Sequence, residues 1–276
     1  MAIRPRQIFS LLTLSFCIAI NPASANTGEA LKKLHEMQTT SLAILADYYM
    51  FSGLDGDSRY SRAMDTGIKQ FDASLKELTQ GNQTTDTAEL ASIVSGWQNY
   101  KELIITNRTD IISQGYANAH LVGKLEGKAI ELSSKLGQSY EELQTSHPTS
   151  VSKWTQYSRK MAIIIQKITA EYTARSANGS GLVVASKVHV INDGGMGKQA
   201  KVFNNLLSRL KKAPKTTRAI NKNIDQLSVK WAFIEKSVTN YNENTVPFIV
   251  NSYAERITKS LTAIGDHYNY RVQAKR

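Results

Sequence analysis

The sequence predicts an all-α protein, an antiparallel helical bundle built from two tandem repeats. Apolar residues recur at steps of three and four along most of the chain, which is the period of helices with one buried face. Anchor residues also recur in the same order in both halves, at an offset that grows from 124 residues (Met37 to Met161) to 137 (Tyr116 to Tyr253). A duplicated unit with extra residues in its turns explains this order.

The recurring anchors are aromatic and aliphatic residues. The pairs are Met37 and Met161, Tyr48 and Tyr172, Phe71 and Phe203, Leu75 and Leu207, Leu78 and Leu210, Trp97 and Trp231, and Tyr116-Ala117 and Tyr253-Ala254. They predict three segments: a leader at 1–25, a first repeat at 26–147 and a second at 148–276.

The N-terminus has the pattern of a signal peptide. Basic residues precede an apolar stretch from Ile8 to about Ile20, and Ala23-Ser24-Ala25 is the small-x-small pattern of a cleavage site. A membrane anchor is the alternative, but the apolar stretch is shorter than the roughly 20 residues of a bilayer span. We therefore expect cleavage after Ala25 and a periplasmic location.

The first repeat predicts four helices. Their expected ranges are 29–53, about 57–79, a third helix around Trp97 with a break or a bend near Asn107-Arg108-Thr109, and about 110–145. The glycines and aspartates of 53–57 separate the first two, and Asp57 or Ser58 can cap the second.

His147-Pro148 predicts the join between the repeats, because proline disfavours helix at its own position and at the one before it. In the second repeat, helices are expected at about 151–176, 197–211, 217–239 and 245–270. The valine-rich stretch 181–191, bracketed by glycines, predicts a short β-hairpin or extended loop, either a contact edge or a lid on the core.

Composition excludes several classes of function. The formal charge is +11, or +9 once a leader carrying Arg4 and Arg6 is removed, but export argues against a nucleic-acid partner. The single cysteine, Cys17, lies in the leader, so disulfides cannot hold the mature chain together. No later segment is apolar enough for a transmembrane helix, and no catalytic constellation, metal-ligand spacing or cofactor motif emerges.

Residues Arg159-Lys160-Met161, Gln166-Lys167-Ile168 and Tyr172 resemble the first-helix signature of a known family. This family comprises the periplasmic sensor domains of type IV pilus methyl-accepting chemotaxis transducers and of nitrate/nitrite sensor kinases. The rest of the second repeat, from Phe203 to Tyr253-Ala254, resembles the remainder of that domain. The resemblance implies binding of a small anion. Without a transmembrane helix, it implies a free-standing module that docks onto a membrane-bound sensor kinase, cyclase or transducer.

Three residues are candidates for ligand binding: Arg159, Gln166 and Tyr49. Arg159 and Gln166 project away from the core stripe through Met161, so they are either solvated or packed against the other repeat. In the second case a desolvated guanidinium could hold a small anion, a metabolite or a partner carboxylate. The tyrosines are expected in the core, with an inter-helix pocket at Tyr49 as the alternative.

A run of cations surrounds Pro214 without an acid among them. It contains the candidate partner-binding residues Arg209, Lys211, Lys212, Lys215 and Arg218. The run is either a solvated turn or a docking patch for an acidic partner or anionic surface. Together these features predict a non-enzymatic, sensor-type bundle that binds a ligand or an envelope partner. The alternative is a rigid structural or assembly factor of the envelope.

Overall fold

The computed structural model describes residues 22–81, 86–179, 195–214, 217–241 and 246–273. These residues form α-helices joined by turns, which confirms the all-α prediction. The helices are α1 Pro22–Gly53, α2 Ser58–Gly81, α3 Thr87–Gln114, α4 Ala119–Ser146, α5 Lys153–Gly179, α6 Met196–Leu210, α7 Arg218–Thr239 and α8 Pro247–Gln273. The expected hairpin at 181–191, residue Lys215 and leader residues 1–21 lie outside the described ranges.

Side-chain caps and left-handed residues set several helix ends. Asp57 precedes α2 and its carboxylate accepts a hydrogen bond from the backbone N–H of Arg59 at 2.8 Å. Asp86 caps α3 in the same way through the N–H of Ala88. The turn before α2 contains Asp55 and Gly56 at positive φ (50° and 83°), which ends α1 abruptly.

Of the break or bend expected near Asn107, the break is wrong, because α3 continues through this residue to Gln114. Asn107 is fully buried, and its side-chain amide donates to the carbonyl of Leu103 one turn earlier at 2.8 Å. The helix ends instead at Gly115, whose φ of 80° and N–H to Ile111 carbonyl bond form a left-handed cap.

Helices α1 and α5 run side by side and parallel through the middle of the bundle. A β-carbon added to Gly53 would lie 3.4 Å from Ala177, and the charge of Arg159 acts on His35. In each pair the two residues are 124 positions apart, which is why the two helices must run in the same direction. Helix α1 also packs on α2 and α4, and α5 packs on α6 and α8. Each half therefore surrounds its own first helix, and the two first helices make the main contact between the halves.

Each half has its own hydrophobic core that contains a buried tryptophan. The Trp97 ring stacks on Phe71 with ring centres 3.8 Å apart, and its indole N–H donates to Asp72 at 2.6 Å. In the second half the ring centres of Trp231 and Phe203 are 4.3 Å apart, and the Trp231 N–H donates to Asn204 at 2.7 Å. The two tryptophans thus have matching surroundings.

One pair of the proposed repeat does not correspond in space. Tyr116 is exposed in the turn between α3 and α4, whereas Tyr253 lies inside α8 with its ring stacked on Phe233. The pairing of Tyr116-Ala117 with Tyr253-Ala254 is therefore wrong. Gene duplication itself stays a hypothesis.

Candidate ligand-binding groove

A groove of about 810 Å³ lies where the two halves meet. Helix α1 contributes residues from Glu36 to Asp47, α2 and α8 supply further lining residues, and Gln166 comes from α5. Most of the lining residues are polar types, with hydroxyl groups from Thr39, Thr40, Thr66, Ser74, Thr258 and Thr262, and mostly small apolar residues line the rest. A concave site with several convergent polar groups is typical of ligand-binding pockets.

Small residues leave room for the groove. Ala43, Ala63 and Ala73 lie along α1 and α2, and Gly67 lets the two helices approach closely. A β-carbon at Gly67 would lie 2.6 Å from the Ile44 side chain, so only glycine fits without displacing it. The sequence of these two helices thus produces a close contact beneath an open groove.

One end of the groove is acidic. Asp47 accepts a hydrogen bond from the side-chain amide of Asn251 at 3.2 Å, and Glu255 lies one turn further along α8. Burial raises the pKa of Asp47 to about 7; the Asn251 bond opposes this rise, and the charge of Glu255 adds to it. Among the described residues, neither carboxylate has a cation within ion-pair distance.

The other end of the groove is electrostatically balanced. Glu36 accepts hydrogen bonds from the ammonium of Lys33 at 3.1 Å and from the hydroxyl of Ser74 at 3.2 Å. Lys259 lines the groove one turn beyond Glu255 on α8. Negative charge without a matching cation is therefore concentrated around Asp47.

Gln166 lines this groove but is only 5% exposed, so the solvated interpretation of its helix face is wrong. Its side-chain amide donates to the hydroxyl of Thr258 at 2.9 Å and joins α5 to α8. The face of α5 that carries Gln166 is therefore packed, and the hydrogen bond of Gln166 joins it to α8 of its own half, whereas the alternative interpretation expected the other half.

Arg159 is also buried, 6% exposed, on the side of α5 that meets α1 and α4. One guanidinium N–H donates to the hydroxyl of Tyr140 at 3.4 Å, while the other terminal nitrogen, Nη2, is buried without a hydrogen-bond partner in the described structure. The facing His35 also has an unpartnered buried nitrogen, Nδ1. Burial, and secondarily the charge of Arg159, lower the pKa of His35 to about 3, so this histidine is neutral at physiological pH.

Tyr49 does not line the groove. It is 1% exposed and its hydroxyl donates to the carboxylate of Glu126 on α4, inside the core of the first half. The three residues expected to bind ligand therefore lie in three places. Gln166 lies in the groove, Arg159 between α1, α4 and α5, and Tyr49 in the core.

The described cations around Pro214 are exposed at one end of the bundle. They are Arg209, Lys211, Lys212 and Arg218. The guanidinium of Arg209 lies 5.9 Å from the ring centre of Tyr157, and none of the four forms an ion pair within the described residues.

Sequence reasoning missed Asp47, Asn251 and Glu255. A signal for Asp47 exists, because it is the only charged residue in the apolar stretch from Leu42 to Phe51. Charged residues in such stretches need a buried partner or a functional reason. Asn251, Glu255 and Lys259 recur every four residues and so share one face of α8.

No family model, curated protein or solved structure matches this chain. Within the described ranges, no helix combines the length and hydropathy needed to cross a membrane. Nor do three or more histidine, cysteine or acidic side chains come together there as a metal site would require.

Proposed function

We propose that this protein is a non-catalytic, sensor-type module that binds a small polar ligand in the groove between its halves. The observation that carries the proposal is the groove itself, which holds about 810 Å³ and takes its lining from both halves. A ligand that contacts α2 on one side and α8 on the other favours one spacing of the halves over others. Such differential binding is the physical requirement for a ligand to shift a conformational equilibrium.

We further propose that the protein is exported and that it signals whether ligand is bound by docking onto a membrane-bound sensor kinase, cyclase or transducer. The likeness of the α5 sequence to periplasmic sensor domains supports this part. The exposed cations Arg209, Lys211, Lys212 and Arg218 offer a surface for an acidic partner. A rigid envelope spacer would need neither the groove nor the partly buried carboxylate of Asp47.

A thermal-shift screen of small polar metabolites tests the groove, because a ligand that binds only the folded state raises the melting temperature. The variant Ala73→Phe places a bulky ring on the groove wall and should abolish the shift seen with any active compound. Ala91→Phe adds the same ring to an exposed position of α3 outside the groove lining and should leave the shift unchanged. A flat screen of the wild-type protein, or equal shifts in the two variants, would reject the groove as the site.

Arg159 favours a second candidate function, the binding of a small anion between α1, α4 and α5. Its buried guanidinium has one unpaired nitrogen and no carboxylate partner within the described residues. Charged hydrogen bonds to an anion would offset the cost of burying this group.

Titration with nitrate, sulfate and phosphate tests this second candidate. We expect Arg159→Met, which keeps most of the side-chain volume, to abolish anion-dependent stabilisation. Arg218→Met, at an exposed position, serves as the control. Equal anion responses in the two variants would show that the anions act on the general surface charge.

A further inference from the structure

The charge of the groove is opposite to that of the whole chain. The chain carries a formal charge of +11, whereas the groove is lined by the carboxylates of Glu36, Asp47 and Glu255 and by one lysine, Lys259. Lys33 pairs with Glu36, so the surplus of negative charge lies at the Asp47 end. A groove that attracts cations in a basic protein selects ligands against the field of the rest of its surface.

Asp47 and Glu255 are arranged to gain from a bound cation. The hydrogen-bond partner of Asp47 within the described residues is the neutral amide of Asn251, and the charge of Glu255 acts on it across the groove. Two carboxylates that share a partly desolvated site repel each other when both are ionised. A cation between them removes this repulsion and forms charge-assisted hydrogen bonds.

The groove favours an organic ammonium over a metal ion. No cluster of three or more metal-ligating side chains is present among the described residues. The lining continues from the acidic end past the hydroxyls of Thr258 and Thr262, which can hydrogen-bond a polar tail. Helix α1 lines the groove from Glu36 to Asp47, which are eleven positions apart, so the groove is about 16 Å long at 1.5 Å per position.

Lys259 limits the charge of the rest of the ligand. It lies four residues, or about 6 Å of helix, beyond Glu255 on α8. A second cationic group at that distance would meet this lysine, whereas a hydroxyl or carboxylate would be attracted to it. Ligands with one ammonium group and a neutral or anionic tail therefore fit best.

Building on the proposed function, we propose that the groove binds a small organic molecule with one ammonium group, which is held between Asp47 and Glu255. The tail lies along the hydroxyl groups of α8 toward Lys259. The ligand class is thus a primary amine with a hydroxyl or carboxyl tail.

Matched probes separate the ammonium from the tail. The probes are 5-amino-1-pentanol and 5-aminopentanoate, which carry the ammonium, and 1,5-pentanediol and pentanoate, which lack it. Calorimetric titration of the folded full chain at pH 8, where Asp47 is ionised, should show binding of the two amines and at least tenfold weaker binding of the other two.

Variants test the assigned carboxylates. Asp47→Asn and Glu255→Gln should each weaken amine binding at least tenfold, while Glu102→Gln, an exposed acid of α3, should leave it unchanged. Circular dichroism of each variant confirms that it is folded. Amine binding that survives both groove variants, or that falls equally in Glu102→Gln, would overturn the assignment of the carboxylates.

The outcomes separate the ligand class from the function. Equal binding of 1,5-pentanediol and 5-amino-1-pentanol, abolished in both cases by Ala73→Phe, would overturn the ammonium proposal and leave groove binding standing. If none of the four probes binds and the broad metabolite screen is also flat, both proposals fail.

Discussion

Asp47 and His35 lie on the same helix, and burial acts on their charged forms in the same way. The pKa of Asp47 rises to about 7 and that of His35 falls to about 3, so each favours its neutral form over a wider pH range than an exposed counterpart. The two residues differ in access. Asp47 lines the open groove, whereas His35 is enclosed near Arg159.

The raised pKa of Asp47 predicts a pH-dependent cost in stability. Because the folded-state pKa (about 7) exceeds the ordinary value of 3.8, the folded protein binds more protons between these pH values and loses stability as pH rises through them. Asp47→Asn removes this dependence. Its free energy of unfolding relative to wild type should increase by up to about 4 kcal/mol between pH 4 and pH 8, at about 1.4 kcal/mol per pKa unit.

Urea unfolding at several pH values measures this difference. Glu102→Gln provides a control, since it removes an exposed carboxylate that lies outside the groove. If the difference in free energy of unfolding between Asp47→Asn and wild type stays constant with pH, then the pKa of Asp47 is not raised in the folded protein.

At the scale of single helices, the sequence predicted well which helices exist and predicted less well where each helix begins and ends. Helical periodicity and the cap at Asp57 located α2, and His147-Pro148 marked the end of α4. Asn107 misled because a polar residue amid apolar ones indicates a break, whereas here its amide satisfies two carbonyls, those of Leu103 and Leu121. Local sequence does not reveal the second of these partners, because Leu121 lies on the next helix.

Two glycines near this helix junction give a matched test. Gly115 has a φ of 80°, where a side chain is strained, so Gly115→Ala should destabilise the protein by about 1 kcal/mol. Gly123 lies inside α4 with open space around its added β-carbon, so Gly123→Ala should stabilise it by about 0.5–1 kcal/mol. Thermal unfolding of both variants measures the two signs, and a shared sign would contradict the assigned helix end.

At the scale of the whole molecule, the recurring anchors predicted that Trp97 and Trp231 occupy equivalent places, but they did not predict how the two halves meet. Phe71 and Trp97 lie on neighbouring helices of the first half, and Phe203 and Trp231 on neighbouring helices of the second. Each pair therefore lies within a single repeat, so a repeated sequence pattern can indicate it. The groove depends on which faces of α1 and α5 meet, and on how α2 and α8 flank them. That choice follows from packing across distant parts of the chain, so only Gln166 among the expected site residues was found in the groove.

The contact between α1 and α5 has two sides with different chemistry. The acidic groove, flanked by α2 and α8, lies on one side, and Arg159 faces Tyr140 of α4 on another. If one half tilted against the other about this contact so that one side widened, the other side would narrow. An amine wedged into the first side and an anion drawn into the second would then compete without touching, each weakening the other by the same factor.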